Sequence, residues 1–314
     1  MEFLAQYGMF LLKSLTIVIS FLLAMAGIVA ISKKPRPKLE IISLNKQYDE
    51  IRQLMLKKVT GKAEKKKKIK KSALAEKPSL YVLQFHGDIK ASEVEQLRDS
   101  ITAVLSIAGN KDEVLLQLES PGGAVNGYGL AASQLLRIRD QKIPLTVCID
   151  KVAASGGYLM ACIADKIVAA PFSIVGSIGV VSQIPNFHRW LKKHNIDIEL
   201  ITAGEYKRTL TLLGENTEKG RQKFQEDLEK IHQAFREFVL QNRGQINIDQ
   251  VSTGEHWLAL DALNLRLVDE LKTSDEIITE KLNQFNVFKV VTHHRQSVVG
   301  KLLKPAAKIL HPWA

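Results

Sequence analysis

From Leu80 to Ala170 the chain repeats one pattern: a short apolar run, a turn, a helix-spaced run, then another apolar run. This repetition limits the possible folds more than any other feature. Leu80–Phe85, Glu113–Leu118, Leu145–Ile149 and Ile167–Ala170 are nearly continuous in apolar side chains, which suits strands covered on both faces. Between them, Ser92–Ile107 sets Val94, Leu97, Ile101, Val104 and Leu105 on one side of a helix, and Gly127–Arg139 reads as a second helix. Strands joined by helices pair in parallel, because the return path needs a crossover. Further on, Ile196–Thr202 reads as another strand, Thr217–Gln241 as a long helix, and Leu267–Glu270 as the end of a shorter return. The expected fold is α/β, built from repeated βαβ units.

The segment ahead of this domain differs in character. Gly8–Ile31 is apolar apart from Lys13 and small hydroxyls, long enough at about 1.5 Å per residue to cross a bilayer. A cleaved leader ending near Ala24-Met25-Ala26 is the rival, but Gly27–Ile31 stays apolar and the start carries little positive charge, which favours an uncleaved anchor. Lys33, Lys34, Arg36 and Lys38 follow the span and argue for a cytoplasmic catalytic domain. Leu39–Val59 reads as one helix, with Ile41, Leu44, Tyr48, Ile51 and Met55 on a short heptad-like seam. Lys57–Lys77 then reads as a solvated basic linker, with anionic lipid as its alternative partner. The net charge of +11 resides in Ser32–Ser79, which holds 16 Lys and Arg against 5 Asp and Glu. The folded part therefore has no basic bias, and nucleic acid is not an expected partner. The expected domains are an anchor at 1–32, a helical or disordered linker at 33–78, the α/β domain at 79–291, and a basic amphipathic tail at 292–314.

The candidate site centres on Val152–Asp165. Ser155 follows a buried strand and precedes Gly156, Gly157 and a helix-spaced run. A serine held on such an edge, with unpaired N–H groups beside it, has the parts of an acyl-transfer nucleophile. An N-cap serine is the plainer reading. Glu119-Ser120-Pro121-Gly122-Gly123 ends another buried strand, and its glycines let a backbone N–H approach a ligand. Paired with the N–H of Gly156, the N–H of Gly122 or Gly123 would form an oxyanion hole; otherwise the stretch is turn chemistry. Lys207 follows the predicted strand at Ile196–Thr202. Partial desolvation there favours the neutral amine and makes a Ser–Lys dyad possible; a surface lysine is the alternative. His188 or His194 with Asp197 is the rival base arrangement. Cys148 and Cys162 read as buried thiols, and no spacing suggests a metal, so neither metal nor cofactor is expected.

Taken together, Glu119–Gly123, Gly127–Gln134, Asp150–Ile167, Gly176–Val180, Thr202–Thr217 and Thr253–Trp257 resemble the signal peptide peptidase A family of membrane serine peptidases, most closely its SohB branch. The likeness covers roughly Leu80–Ile278. It implies a ClpP/crotonase-like fold, Ser155 as nucleophile, Lys207 as general base, and the N–H of Gly156 with Gly122 or Gly123 as oxyanion hole. It also implies a bacterial inner-membrane endopeptidase acting on released signal peptides, membrane proteins or other short extended apolar segments. Homo-oligomers whose Ser and Lys come from adjacent subunits are a further implication. The best-known members place the catalytic domain outside the cytoplasm, opposite to the flanking charge here. Where relatives tend to have Gly-Leu-Val-Asp, this chain has Arg266-Leu267-Val268-Asp269. A membrane-anchored scaffold of the same fold with little proteolysis, and an acyl-CoA enzyme using the same glycines, are the other readings.

Overall fold

The computed structural model describes residues 2–32, 38–61 and 77–293. The chain forms two units, 1–40 with 292–314, and 41–291. In the first, helix α1 spans Glu2–Ser32. Met9, Phe10, Leu11 and Leu12 are all exposed in succession, so the described part of α1 is apolar on every side. Among the described residues no helix is long and apolar enough to cross a membrane. The expected span reaches Ile31, but the side chains beyond residue 22 lie outside the described residues. So do the lysine-rich stretch 62–76 and the tail from Gln296.

The larger unit is built on a parallel sheet. Strands β2 (Ser79–His86), β3 (Glu113–Glu119), β4 (Leu145–Ile149) and β6 (Lys166–Ala169) pair side by side, as the repeated pattern requires. Strand β9 (Glu270–Leu271) extends one edge, β10 (Asn286–His293) pairs with β2 on the other, and β1 (Lys38–Ser43) lies beyond β10. Successive residues of β2 serve opposite faces. Tyr81, Leu83 and Phe85 join one core, while Leu80 and Val82 join another. Helices α3 (Val94–Leu105) and α4 (Val125–Asp140) contribute to the first core. Helix α2 (Leu44–Thr60) lends Leu44 and Tyr48 to the second.

A small second sheet stands where β3 ends. Strands β5 (Val152–Ala154) and β7 (Ile174–Gly176) pair in parallel, and β8 (His256–Leu258) runs antiparallel to β7. A bridge between Ser120 and Ala153 joins it to the end of β3. The strand–turn–helix units of the large sheet thus deliver two turns, 120–123 and 155–157, to the same place.

Two elements depart from the sequence expectation. Lys38–Ser43 is a strand rather than the start of a helix. Of the heptad-like seam, Leu44 is buried and Tyr48 packs on the chain's own second core, while Ile41, Ile51 and Met55 are exposed. Asn45 ties the helix down by donating to the carbonyls of Leu282 and Phe285 and accepting from Val287 N–H. Residues 41–61 fall within the larger unit. Ile196–Thr202 alternates like a strand but forms none, and its side chains are exposed. Among the described residues no neighbouring strand offers it backbone partners.

Candidate active site

Strand β5 ends at Ala154 and helix α5 (Gly156–Ala161) begins two residues later, so Ser155 alone makes the corner. It does so at φ 51° and ψ −117°, outside the regions where side-chain-bearing residues normally rest. Its N–H donates to Gly176 O at 2.8 Å, and its carbonyl accepts from Leu159 N–H at 2.9 Å. The backbone is therefore held from both sides while the residue remains partly exposed. A strained strand-to-helix turn of this kind presents a hydroxyl outward from the end of a sheet.

The second turn is pressed against the first. Gly122 has φ +91°, and a Cβ there would lie 2.7 Å from Ser155 Cβ and 2.8 Å from Gly156 N. Only glycine fits. Ser120 anchors the turn, since its N–H donates to Val152 O (2.8 Å) and its carbonyl accepts from Ala154 N–H (3.0 Å). Gly122 N–H donates to Ser120 Oγ at 3.1 Å. Gly123 N–H and Gly156 N–H have no acceptor among the described residues.

Of the residues expected in the site, Ser155, Gly156, Gly122 and Gly123 are thus brought together. Lys207 is not joined to them. It is exposed in the loop that follows Ile196–Thr202, where its N–H donates to Gly204 O at 3.2 Å. Neither its ammonium nor the Ser155 hydroxyl has a hydrogen-bond or ionic partner among the described residues. The loop itself is ordered by Asn186 and Asn216. Asn186 donates to the carbonyls of Thr211 and Gly214, and Asn216 bonds Thr211 on both backbone groups.

Among the described residues the histidine alternative finds no assembly. His188 opens the short helix α6 (His188–Lys193) and His194 follows it, with His194 Nδ1 2.8 Å from Trp190 O in its own helical turn. No bond joins either to Ser155 among the described residues. Burial pushes both Cys148 and Cys162 up to about 12, so neither thiol supplies a nucleophilic thiolate. Among the described residues no group of three or more His, Cys, Asp or Glu could hold a metal ion.

Comparison with known proteins decides the class. The profile of Peptidase family S49 matches residues 137–287, and that of the Peptidase family S49 N-terminal region matches residues 2–135. A "Probable protease SohB" of Haemophilus influenzae is 48% identical, over 97% of this chain and 93% of that protein. The chain belongs to peptidase family S49. A second "Probable protease SohB", from Buchnera aphidicola subsp. Schlechtendalia chinensis, is 45% identical over 90% of this chain and 100% of that protein. Among solved structures, a membrane-bound stomatin-specific protease variant in complex with a substrate peptide is 16% identical, with a TM-score of 0.45, covering 74% of this chain and 99% of that one. The S49 family comprises serine peptidases, which makes the strained, partly exposed Ser155 the hydroxyl of first interest.

Proposed function

We propose that the chain is an endopeptidase in which Ser155 is the nucleophile and Lys207 the general base, acting on short extended apolar segments such as released signal peptides. The observation that carries this reading is the corner at Ser155, a serine at φ 51° between β5 and α5 with the Gly122 turn packed against it. Neutral Lys207 takes the Ser155 proton as Oγ attacks the peptide carbonyl. The carbonyl oxygen gains the negative charge and meets backbone N–H groups of the Gly156 and Gly122–Gly123 turns. The protonated lysine then gives its proton to the leaving amine as the C–N bond breaks. Water hydrolyses the resulting ester by the same route, restoring Ser155.

The apolar preference is supported by Ile89 and Val125, which are exposed beside the Gly123 turn. Ile89 O accepts from Ala124 N–H at 2.7 Å, which holds that residue next to the turn. An extended peptide would bind by strand addition, with alternate side chains in apolar contacts. A dyad completed between subunits is supported by the lack of any hydrogen bond between Ser155 and Lys207 among the described residues, each of whose functional groups has no partner there. Attachment to a bacterial inner membrane through α1 is supported by its exposed apolar side chains and the apolar sequence of Gly8–Ile31.

The test uses detergent-purified full-length protein. Wild type is expected to cleave apolar peptides. Ser155→Ala and Lys207→Ala, each folded, are expected to lose at least about a thousandfold in kcat/KM. Mixing the two dead variants restores part of the activity when the dyad is shared between chains. Full activity of Lys207→Ala would sink the dyad and return attention to the histidines.

A further inference from the structure

Tyr128, on α4, is completely buried although it carries a phenol. Its hydroxyl lies 2.5 Å from Ser120 Oγ and 2.9 Å from Asp88 O. Ser120 is also completely buried and accepts from Gly122 N–H. Counting protons fixes the direction of this chain. A carbonyl only accepts, so the single phenol proton goes to Asp88 O. Ser120 must then donate to the phenol oxygen, which leaves a lone pair for Gly122 N–H. The bonds run one way, from Gly122 N–H through Ser120 and Tyr128 to Asp88 O, and bonds so aligned strengthen one another. Burial raises the Tyr128 phenol above its ordinary range, which keeps it a donor.

The other side of the same residue meets the second turn. A Cβ on Gly156 would lie 2.4 Å from Cγ of Tyr128, so the ring packs directly on the Gly156 backbone. Tyr128 therefore touches both turns, the Ser155 corner with its ring and the Pro121–Gly123 turn through its hydroxyl. A Cβ on Gly87 would lie 2.2 Å from both Ser120 Oγ and the phenol oxygen, so the pair is enclosed on that side as well.

We infer that Tyr128 and Ser120 are positioning residues of the oxyanion site, setting the spacing between the Gly156 N–H and the Pro121–Gly123 turn. On this assignment Gly122 N–H is spent in anchoring the turn, and Gly123 N–H is the one left for the oxyanion. The inference rests on Ser155 being the nucleophile. Oxyanion donors act over a narrow range of about 2.7–3.1 Å, so a turn that drifts loses rate more than substrate binding.

The experiment measures kcat and KM of full-length Tyr128→Phe, Ser120→Ala and the double variant, with rates normalised to the folded fraction. Tyr128→Phe keeps the ring on Gly156 and removes only the hydroxyl. Each single variant is expected to lower kcat by about ten- to a hundredfold, with KM within about twofold. The double variant is expected to match the worse single variant instead of multiplying the two losses, because both break one chain. Wild-type kcat in folded Tyr128→Phe, a rise in KM at unchanged kcat, or multiplicative losses would each overturn the inference. Ser120→Ala reads the same chain from its middle if Tyr128→Phe folds poorly. Turnover by Ser155→Ala at the wild-type rate would instead overturn the nucleophile itself, so the two failures are distinguishable.

Discussion

Of the six side-chain-bearing residues with positive φ among the described residues, Ser155 and Arg266 hold it for different reasons. Ser155, at 51°, carries strain of roughly 1–3 kcal/mol where a hydroxyl must be presented, and the packing of two turns maintains it. Arg266, at 60°, lies just after helix α8 (Ala259–Asn264). Its side chain is exposed, and the bonds the structure gives it are backbone ones: its N–H donates to Leu263 O and its carbonyl accepts from Arg243 Nη2. A helix end in the left-handed region is natural for glycine and costly for arginine. Arg266→Gly should therefore stabilise the protein by about 0.5–1 kcal/mol and leave peptidase activity unchanged, measured by urea unfolding and steady-state turnover. A lower unfolding midpoint would show that the arginine side chain contributes something the backbone argument omits. A positive φ at Arg266 is not legible in the sequence, because neighbouring hydrogen bonds fix the turn without glycine.

At the scale of elements, the end of helix α7 (Glu218–Asn242) is tied to the sheet by one ion pair. Arg243 is almost fully buried and donates to both oxygens of Asp269 at 2.7 and 2.9 Å, and Asp269 also accepts from Ile167 N–H on β6. Read as sequence, Leu267–Glu270 is only a strand return, because nothing in the local pattern marks a partner at Arg243. Removing Asp269 leaves a buried guanidinium without its counter-charge. Asp269→Ala should cost about 3–5 kcal/mol, and Arg243→Met/Asp269→Leu should cost less than Asp269→Ala alone, since an apolar pair needs no charge compensation. Equal losses in the two, by chemical denaturation, would mean that the Ile167 bond dominates. The central strands were legible because each is a dense apolar run bounded by turns. Strand β10 was missed although Val287-Phe288-Lys289-Val290-Val291 carries β-branched residues, since its partner β2 lies two hundred residues earlier. Ile196–Thr202 failed in the opposite sense: its pattern suits a strand, but strand formation also requires a neighbour that pattern alone cannot supply.

That unpartnered run bears on the molecule as a whole. Ile196, Ile198, Leu200 and Ile201 are exposed, as are Val181 and Trp190 nearby in the sequence. Lys207 follows within the same excursion from the core. Among the described residues an apolar run is thus uncovered and no hydrogen bond joins the general-base candidate to Ser155. Exposed apolar surface favours burial against another chain. On the shared-site reading, covering that run and delivering Lys207 to a neighbouring Ser155 are one event. Activity per chain should then fall on dilution, in step with dissociation followed by sedimentation velocity. Ile198→Glu should shift both curves together to higher protein concentration, because a charge on the run opposes its burial. An unchanged rate per chain at dilutions where the protein sediments as a monomer would place the complete dyad within one chain, and would require the loop around Lys207 to reach its own Ser155.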